Sequence, residues 1–347
     1  MYKQLLLISS KTFPGAVSVL TNLKRVLNSL VEITIMPVED LFIFRPQIGA
    51  YRIEKRIRMI QTDLHLINVD KITEFGDNIL FAAWSPFYDL VLNKLNRKGI
   101  TPSLIVCSTL GQSELSRHEL KDYHHILKYL KEGKLKYWLL NRRLYGSLHK
   151  ITDKSIYFPY PLDLSRFRNI VPEKIDGKNI DLFCLPRLGK NILNQILAFE
   201  ISNVSASLHI NFQDRFINHI IKDINAKVVY HGWMSDVDYY RFIAGMDLSL
   251  QSTFTESFSY AVAERMCLGV PPITSYDVYF TAEDKFLSRY LCVKALDTPS
   301  EIAKLIKKNM EDDNLRRNLS EKCRVVIEKI ANKNNKETQD LIVDLIE

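Results

Sequence analysis

The chain has 347 residues, of which 46% are hydrophobic and 25% charged, with a formal net charge of +7. This composition excludes an intrinsically disordered chain, and the length predicts two domains of ordinary size. No apolar run reaches the ~18 residues that a membrane-spanning helix needs, so the sequence predicts no membrane span.

Short apolar runs alternate with helical patterns along the chain, which is typical of βαβ units and a parallel sheet. In the first half, strands are predicted over residues 5–10, 31–37, 78–83, 103–108 and 155–159. A helix is predicted over residues 16–30, and two helices broken near Gly133 between residues 114 and 149. Residues 1–165 are therefore predicted to form an N-terminal α/β domain, followed by a polar linker at residues 166–178.

The second half repeats the alternation. Strands are predicted over residues 179–185, 207–212, 227–230, 247–252 and 270–275, and helices over residues 190–201, 235–245, 257–268 and from 300 onward. Residues 179–325 are predicted to form a second α/β domain, and residues 326–347 a C-terminal helix that crosses back to the first domain. Two doubly wound, Rossmann-like domains would face a cleft in which ligands bind beyond the carboxyl ends of the strands.

Cysteine usage indicates the compartment. The five cysteines are scattered, odd in number and never in Cys-x-x-Cys spacing, which is typical of a reducing compartment and argues against a disulfide framework. The apolar run near the N-terminus is too short for a signal peptide. We therefore expect a cytoplasmic protein.

The charge is unevenly distributed. Residues 1–150 carry 22 Lys and Arg against 13 Asp and Glu. The excess forms two clusters, Arg52, Lys55, Arg56 and Arg58, and then Lys128, Lys131, Lys134, Lys136, Arg142, Arg143 and Lys150. One interpretation is a solvated basic helix face. The other is a surface for an anionic acceptor or for the headgroups of an anionic membrane, which would make the protein peripheral to that membrane. No nucleic-acid-binding module is recognisable, so nucleic acid is not expected as a partner.

Two carboxylates, Glu256 and Glu264, indicate a binding site. Glu256 lies where a strand turns into a helix predicted to begin at Ser257, and Glu264 lies inside that largely apolar helix. At about 1.5 Å per residue they are ~12 Å apart along the helix axis, which suits the sugar and the ribose of a nucleotide-diphosphate sugar. The backbone N–H groups of Ser257, Phe258 and Ser259 would face a phosphate.

Each carboxylate also has a purely structural interpretation. In that interpretation Glu256 complements the positive end of the helix, and Glu264 reaches solvent. The apolar neighbours of Glu264 favour a functional role instead, because an unpaired carboxylate is costly to bury.

A basic loop opens the second domain. Arg187 and Lys190 directly follow the strand predicted at residues 179–185 and lie at the entrance to the next helix. Two cations at a helix N-terminus suit a diphosphate and would stabilise it as a leaving group. An ordinary basic loop is the alternative. The functional interpretation is favoured because this loop and the one holding Glu256 both fall at carboxyl ends of strands in one sheet.

A metal site is not predicted. Asp236-Val-Asp238 has the spacing of a metal-binding Asp-x-Asp pair. However, Ser235 followed three residues later by Asp238 is typical of a helix N-cap, and we favour capping.

A family resemblance rests on the motifs His231-Gly-Trp, Tyr239-Tyr-Arg-Phe-Ile-Ala-Gly-Met-Asp247, the pair Glu256 and Glu264, and Gly269-Val-Pro-Pro-Ile273. Over residues 155–275 the chain resembles the retaining GT-B glycosyltransferases of the large family 4 (group 1) type. The resemblance implies two Rossmann-like domains, with the donor in the second and the acceptor in the first. It also implies transfer of a hexose-type sugar with retention, in glycan biosynthesis or a related process, and without a metal or other cofactor.

The resemblance also implies residue roles. Glu256 would contact the donor sugar, while Glu264 would bind the nucleotide ribose. The amides of Phe258 and Ser259 would lie near sugar and phosphate, and Ser257, Gly232 and Gly15 would also contact the substrate. Arg187 and Lys190 would stabilise the leaving diphosphate. Gly15 occupies the place of a Gly-Gly turn that follows the first strand in this family.

Two departures from the family pattern leave an alternative open. Ser259 stands where the family usually has glycine, and the first-domain turn is reduced to Gly15. The alternative is a catalytically idle GT-B scaffold that acts as a binding or assembly subunit. A nucleotide-sugar epimerase on the same fold is a third possibility.

Overall fold

The computed structural model describes residues 4–9, 14–41, 68–84, 88–107, 109, 117–184 and 188–346. The chain divides into two compact units. Unit 1 comprises Met1–Asp163 and Lys333–Glu347, and unit 2 comprises Leu164–Asn332. The segment 166–178, which the sequence predicts as a linker, lies inside unit 2.

Unit 1 is built on a parallel sheet. Its described strands are β1 Gln4–Ser9, β2 Glu32–Pro37, β3 Ile79–Ala82, β4 Ser103–Ile105, β5 Trp138–Leu140 and β6 Ser155–Tyr157. They are ordered β2-β1-β3-β4-β5-β6. The described helices are α1 Pro14–Leu27, α2 Tyr88–Arg97, α3 Arg117–Lys131 and α4 Arg142–Leu148. The central strands are almost wholly buried, as expected when helices cover both faces of a parallel sheet.

Strand β5 corrects the prediction of two helices broken near Gly133. Helix α3 ends at Lys131, Gly133 adopts a left-handed φ of +71°, and β5 follows. Helix α4 then begins after Asn141, whose side chain accepts a hydrogen bond from the backbone N–H of Leu144 at 2.9 Å. A three-residue strand that is buried on both faces has no alternating pattern, so it could not be separated from the apolar side of a helix.

Unit 2 repeats the architecture. Its strands are β7 Asn179–Leu182, β8 Ser207–Ile210, β9 Val228–Tyr230, β10 Leu248–Gln251, β11 Pro272–Ser275 and β12 Cys292–Val293. The helices are α5 Ile192–Ser202, α6 Arg215–Asp223, α7 Asp236–Ala244, α8 Tyr260–Leu268, α9 Tyr279–Ala282, α10 Lys285–Leu291, α11 Pro299–Glu311 and α12 Asp313–Ile346. Helices α6, α9 and α10 and strand β12 are absent from the sequence-based prediction. The two α/β units confirm the predicted doubly wound class.

The strand order in unit 2 is β12-β11-β10-β7-β8-β9, and the paired strands are parallel. After β7 the chain moves to β8 and β9 on one side, and it then returns to β10 on the other side. The connections that leave β7 and β10 therefore diverge over opposite faces of the sheet. Such a switch point opens a crevice at the carboxyl ends of the two strands, which is where doubly wound sheets bind ligands.

Helix α12 belongs to both units, because its residues from Lys333 onward are part of unit 1. Within unit 1 the Asn334 side chain donates to the Tyr160 carbonyl at 3.0 Å. The Gln339 side chain donates to the Val26 carbonyl at 3.0 Å. In the described part of the chain, neither this helix nor any other has the length and apolar character needed to cross a bilayer.

Candidate functional site

The loops that follow β7 and β10 are joined by hydrogen bonds at the switch point of unit 2. The backbone N–H of Phe254 donates to the Gly189 carbonyl at 3.0 Å. The Gln195 side chain accepts from the backbone N–H of Ser252 at 2.8 Å, and the Asn191 side chain donates to the Ser252 carbonyl at 3.1 Å. These bonds hold two loops in one arrangement although they are separated by about sixty residues in the sequence.

Lys190 and Glu256 form a buried ion pair between these loops. The Lys190 ammonium donates to Oε1 of Glu256, and the two side chains are only 11% and 6% exposed. The structure thus brings together two of the three residues predicted to be catalytic. The third, Arg187, lies outside the described residues. The ammonium could bind an anion, and the carboxylate could accept hydrogen bonds from the hydroxyls of a polyol. Each buried charge would then keep a partner when a ligand is bound.

The helix after Glu256 starts later than the sequence predicts. Helix α8 begins at Tyr260, and the backbone at Ser259 is left-handed, with φ of +61°. Phe258 is buried against Phe280, with ring centroids 5.6 Å apart, so it packs as part of the core before the helix begins. The ~12 Å estimate for the two carboxylates therefore does not apply, because it assumed a continuous helix from Glu256, whereas only the ~6 Å from Tyr260 to Glu264 is helical rise. Ser257, Phe258 and Ser259 form an irregular connection rather than a first helical turn.

Ser259 carries backbone strain that a glycine would relieve. A left-handed backbone costs a residue with a Cβ about 1 kcal/mol, and the buried Ser259 hydroxyl has no hydrogen-bond partner among the described residues. We expect Ser259→Gly to raise the free energy of unfolding by about 1 kcal/mol, as measured by urea titration. Ser257→Gly is the matched control. It should lower that free energy by about 0.5 kcal/mol, because its backbone has no such strain to relieve. Equal effects of the two variants would contradict the strain assignment.

Glu264 is half-buried in α8 and has one anchored oxygen. The Tyr240 hydroxyl donates to Oε1 of Glu264 at 3.3 Å. No hydrogen bond from another described residue reaches Oε2. Burial raises the pKa of Glu264, against the lowering effects of Arg265, Arg166 and the Tyr240 hydroxyl. Glu264 therefore has one oxygen available to accept a hydrogen bond from a ligand.

Arg265 and Asp181 form a fully buried ion pair that sequence reasoning missed. The Arg265 Nη2–Asp181 Oδ2 distance is 2.6 Å and the Nε–Oδ2 distance is 3.0 Å, with both side chains 0% exposed. Arg265 also donates to the Ala261 carbonyl within α8 at 2.8 Å and to the Phe183 carbonyl at 3.2 Å, and the second of these bonds ties α8 to the end of β7. Burial opposes the charge on Arg265, but Asp181 raises its pKa. The available signal was Asp181 itself, a charge within the apolar strand β7.

Within unit 2, Gly232 lies apart from the Lys190–Glu256 ion pair. Gly232 is exposed in the loop after β9, two strands from β7 and so about 10 Å across the sheet. A Cβ at Gly232 would meet nothing within 4 Å, so the surrounding protein atoms do not require glycine there. Gly15 is the second residue of α1, in unit 1.

A pair of histidines anchors the loop that holds Gly232. The Asn179 amide donates to the Gly177 carbonyl, so its Oδ1 accepts from His209 Nε2 at 2.9 Å. His209 Nδ1 must then accept from Nε2 of His231, which lies 2.8 Å away. Burial, followed by the neighbouring His231, lowers the pKa of His209 to about 4, so His209 is neutral at neutral pH. The start of the Gly232 loop is thereby fixed to the sheet.

The Asp236 and Asp238 carboxylates have structural partners. The Ser235 side chain accepts from the backbone N–H of Asp238 at 3.3 Å, which confirms the predicted N-cap of α7. Asp236 pairs with Arg166 at 3.2 Å. In the part of the chain that the structure describes, no group of three His, Cys, Asp or Glu residues is placed to hold a metal ion.

Comparison with known proteins finds a family match over most of unit 2. Residues 167–326 match the family described as Glycosyl transferases group 1. No curated protein matches the chain. Among solved structures, the chain is similar to sucrose-phosphate synthase from Thermosynechococcus elongatus, with a TM-score of 0.73, 12% identity and 99% of each chain covered.

Two further solved structures show the same likeness. Anabaena Alr3699/HepE in complex with UDP and glucose has a TM-score of 0.69 and 10% identity, with 99% of this chain and 100% of that chain covered. A glycosyltransferase from Rickettsia africae has a TM-score of 0.67 and 13% identity, with 100% and 99% covered. The similarity to all three structures spans both units and is a similarity of fold.

Proposed function

We propose, from the premise that this GT-B chain is a glycosyltransferase, that it moves a hexose-type sugar from a nucleotide-diphosphate sugar to a glycan, lipid-linked or protein acceptor. Transfer would retain the anomeric configuration, as the resemblance to family 4 implies. The observation that carries the proposal is the buried Lys190–Glu256 pair at the switch point of the group 1 domain. Alr3699/HepE, a structural neighbour, binds UDP and glucose, which supports a donor of this class.

In this proposal Lys190 and Arg187 neutralise the charge that develops on the leaving diphosphate. Two cations can perform this task electrostatically, so the proposal includes no metal cofactor. Glu256, released from part of its contact with Lys190, accepts hydrogen bonds from hydroxyls of the donor sugar. The amides of Ser257, Phe258 and Ser259 and the Gly232 loop would line the rest of the donor site.

Glu264 has a separate role in the proposal. Its Oε2 would accept a hydrogen bond from a ribose hydroxyl of the nucleotide. This contact is present equally in the ground state and the transition state, so it contributes to donor affinity rather than to turnover. Glu256 faces the sugar, where bonds change, and contributes mainly to turnover.

A panel of donors tests the function. Calorimetry of the full chain with UDP-, GDP- and ADP-sugars, followed by a hydrolysis assay with and without EDTA, is expected to show one donor bound and slowly hydrolysed in both conditions. Absence of binding to every donor would contradict the proposal and favour the idle scaffold. A new nucleotide sugar formed without an acceptor would contradict it in favour of an epimerase.

We further propose a cytoplasmic location with peripheral contact to anionic membranes through the basic face of unit 1. All five cysteines are unpaired, which suits a reducing compartment. In the second basic cluster the described helix α3 carries Lys128 and Lys131 in its last turn. The first cluster, Arg52, Lys55, Arg56 and Arg58, lies outside the described residues. Co-sedimentation that occurs with phosphatidylserine vesicles and is absent with neutral vesicles would support membrane contact.

A further inference from the structure

Tyr240 contacts the carboxylate proposed to bind ribose. It lies in α7, is 6% exposed, and donates its hydroxyl to Oε1 of Glu264 at 3.3 Å. The two residues come from neighbouring helices and are separated by 24 positions in the sequence. Because the hydroxyl holds Oε1, it fixes the orientation of the carboxylate and therefore the direction in which Oε2 points.

The ring of Tyr240 is held in place independently of its hydroxyl. Phe167 packs against it edge to face, with ring centroids 5.2 Å apart. The Arg166 guanidinium lies over the ring, 5.1 Å from its centroid, and pairs with Asp236 at 3.2 Å. A phenylalanine at position 240 would keep these ring contacts and lose the hydrogen bond alone.

The Tyr240 phenol is a donor under all ordinary conditions. Burial, together with the neighbouring Glu264 carboxylate, raises the pKa of Tyr240, so the hydroxyl stays protonated. A protonated phenol next to a carboxylate donates its hydrogen to the charged oxygen. The Glu264 carboxylate is therefore the acceptor in this contact.

We propose that Tyr240 is a positioning residue for the nucleotide: its hydroxyl holds Oε1 of Glu264 and so directs Oε2 to a ribose hydroxyl. This inference rests on the proposed function, because it assumes that Glu264 binds the donor. A carboxylate with one fixed oxygen loses less conformational freedom when it binds a ligand. Tyr240 therefore increases donor affinity without touching the donor.

The same contact affects the pH dependence of donor binding. Burial raises the pKa of Glu264, and the Tyr240 hydroxyl lowers it. Only the carboxylate form is a full acceptor, so donor affinity falls as the pH drops through this raised pKa. Removal of the hydroxyl raises the pKa further and moves the loss of affinity to higher pH. The other titratable or charged groups near Glu264 are Arg166, Asp236, Tyr239, Arg265 and Cys267.

Three variants of the full chain test the inference against the donor that the panel identifies. Tyr240→Phe is expected to weaken donor binding about 5- to 10-fold, to raise KM with kcat within about twofold, and to shift the acid limb of affinity to higher pH. Glu264→Gln should weaken binding and flatten that acid limb, because its amide does not titrate. Tyr230→Phe, the control, removes a hydroxyl that donates to Asn218 at the same 3.3 Å and should change none of these values.

Each contrary outcome has one meaning. If wild type binds a donor and Glu264→Gln weakens that binding, but Tyr240→Phe matches wild type in affinity and acid limb, the positioning role is wrong and the proposed function stands. If Tyr240→Phe lowers only the urea midpoint, Tyr240 is merely structural and the inference is again wrong. If wild type binds none of the donors, the proposed function fails first.

Discussion

Replacing Lys190 with methionine is expected to lower kcat by about 10²- to 10³-fold, because in the proposed function the leaving diphosphate would lose a buried cation that stabilises its developing charge. Methionine keeps most of the volume of the side chain, and the bond from the Gln195 amide to the backbone carbonyl of residue 190 does not depend on the lysine ammonium. The measurement is steady-state transfer or hydrolysis with the donor that the panel identifies. Lys304→Met, at an exposed helical position paired with Glu301, is the control and should leave kcat unchanged.

Lys190→Met should also destabilise the fold, and a second substitution should separate the loss of stability from the loss of activity. Removal of Lys190 leaves Glu256 as an unpaired buried carboxylate, at a cost of about 3–5 kcal/mol in the free energy of unfolding. Adding Glu256→Gln removes that charge and should recover most of the stability while activity stays low. Recovery of activity together with stability in the double variant would contradict a catalytic role for the pair.

Replacing Asp181 with asparagine is expected to lower the free energy of unfolding by about 3–5 kcal/mol, because the Arg265 guanidinium would remain buried without its counter-charge. Both side chains are inaccessible to solvent, so water cannot substitute for the lost carboxylate. Urea unfolding followed by circular dichroism measures the change. The control is Asp313→Asn, which weakens the pairs of an exposed carboxylate with Lys178 and Arg316 and should cost less than about 1 kcal/mol.

The double variant Asp181→Leu with Arg265→Met tests whether the pair itself stabilises unit 2. Two apolar side chains of similar length would avoid the cost of burying two charges, so most of the lost stability should return. A double variant as unstable as Asp181→Asn would show instead that the Arg265 bonds to the carbonyls of Phe183 and Ala261 are what unit 2 requires.

Much of the fold could be predicted because the alternation of short apolar runs and helical patterns is local. Strands such as β1 and β10 contain runs of four or five buried residues, and the pattern shows them directly. Strand β5 was missed because three fully buried residues carry no periodicity. The start of α8 was misplaced because the left-handed backbone at Ser259 is a tertiary constraint on a residue that usually avoids it.

The site was predictable only in part. Lys190 and Glu256 could be placed near each other because both follow strands of one sheet, but their direct ion pair depends on β7 and β10 being neighbours. The pairing of Arg265 with Asp181 spans 84 positions and has no signature in local spacing. Its physical cause, a buried charge that requires a partner, was visible at Asp181, whereas the identity of the partner was not.

The continuous helix α12 has a consequence for how the protein is made. Unit 1 contains residues 1–163 and residues 333–347, so its last segment leaves the ribosome after all of unit 2 has been synthesised. Until then the Tyr160 carbonyl and the Val26 carbonyl lack the donors that Asn334 and Gln339 provide. Unit 2 is the first part of the chain that can be completed during translation. Unit 1, although its synthesis begins first, is therefore completed last.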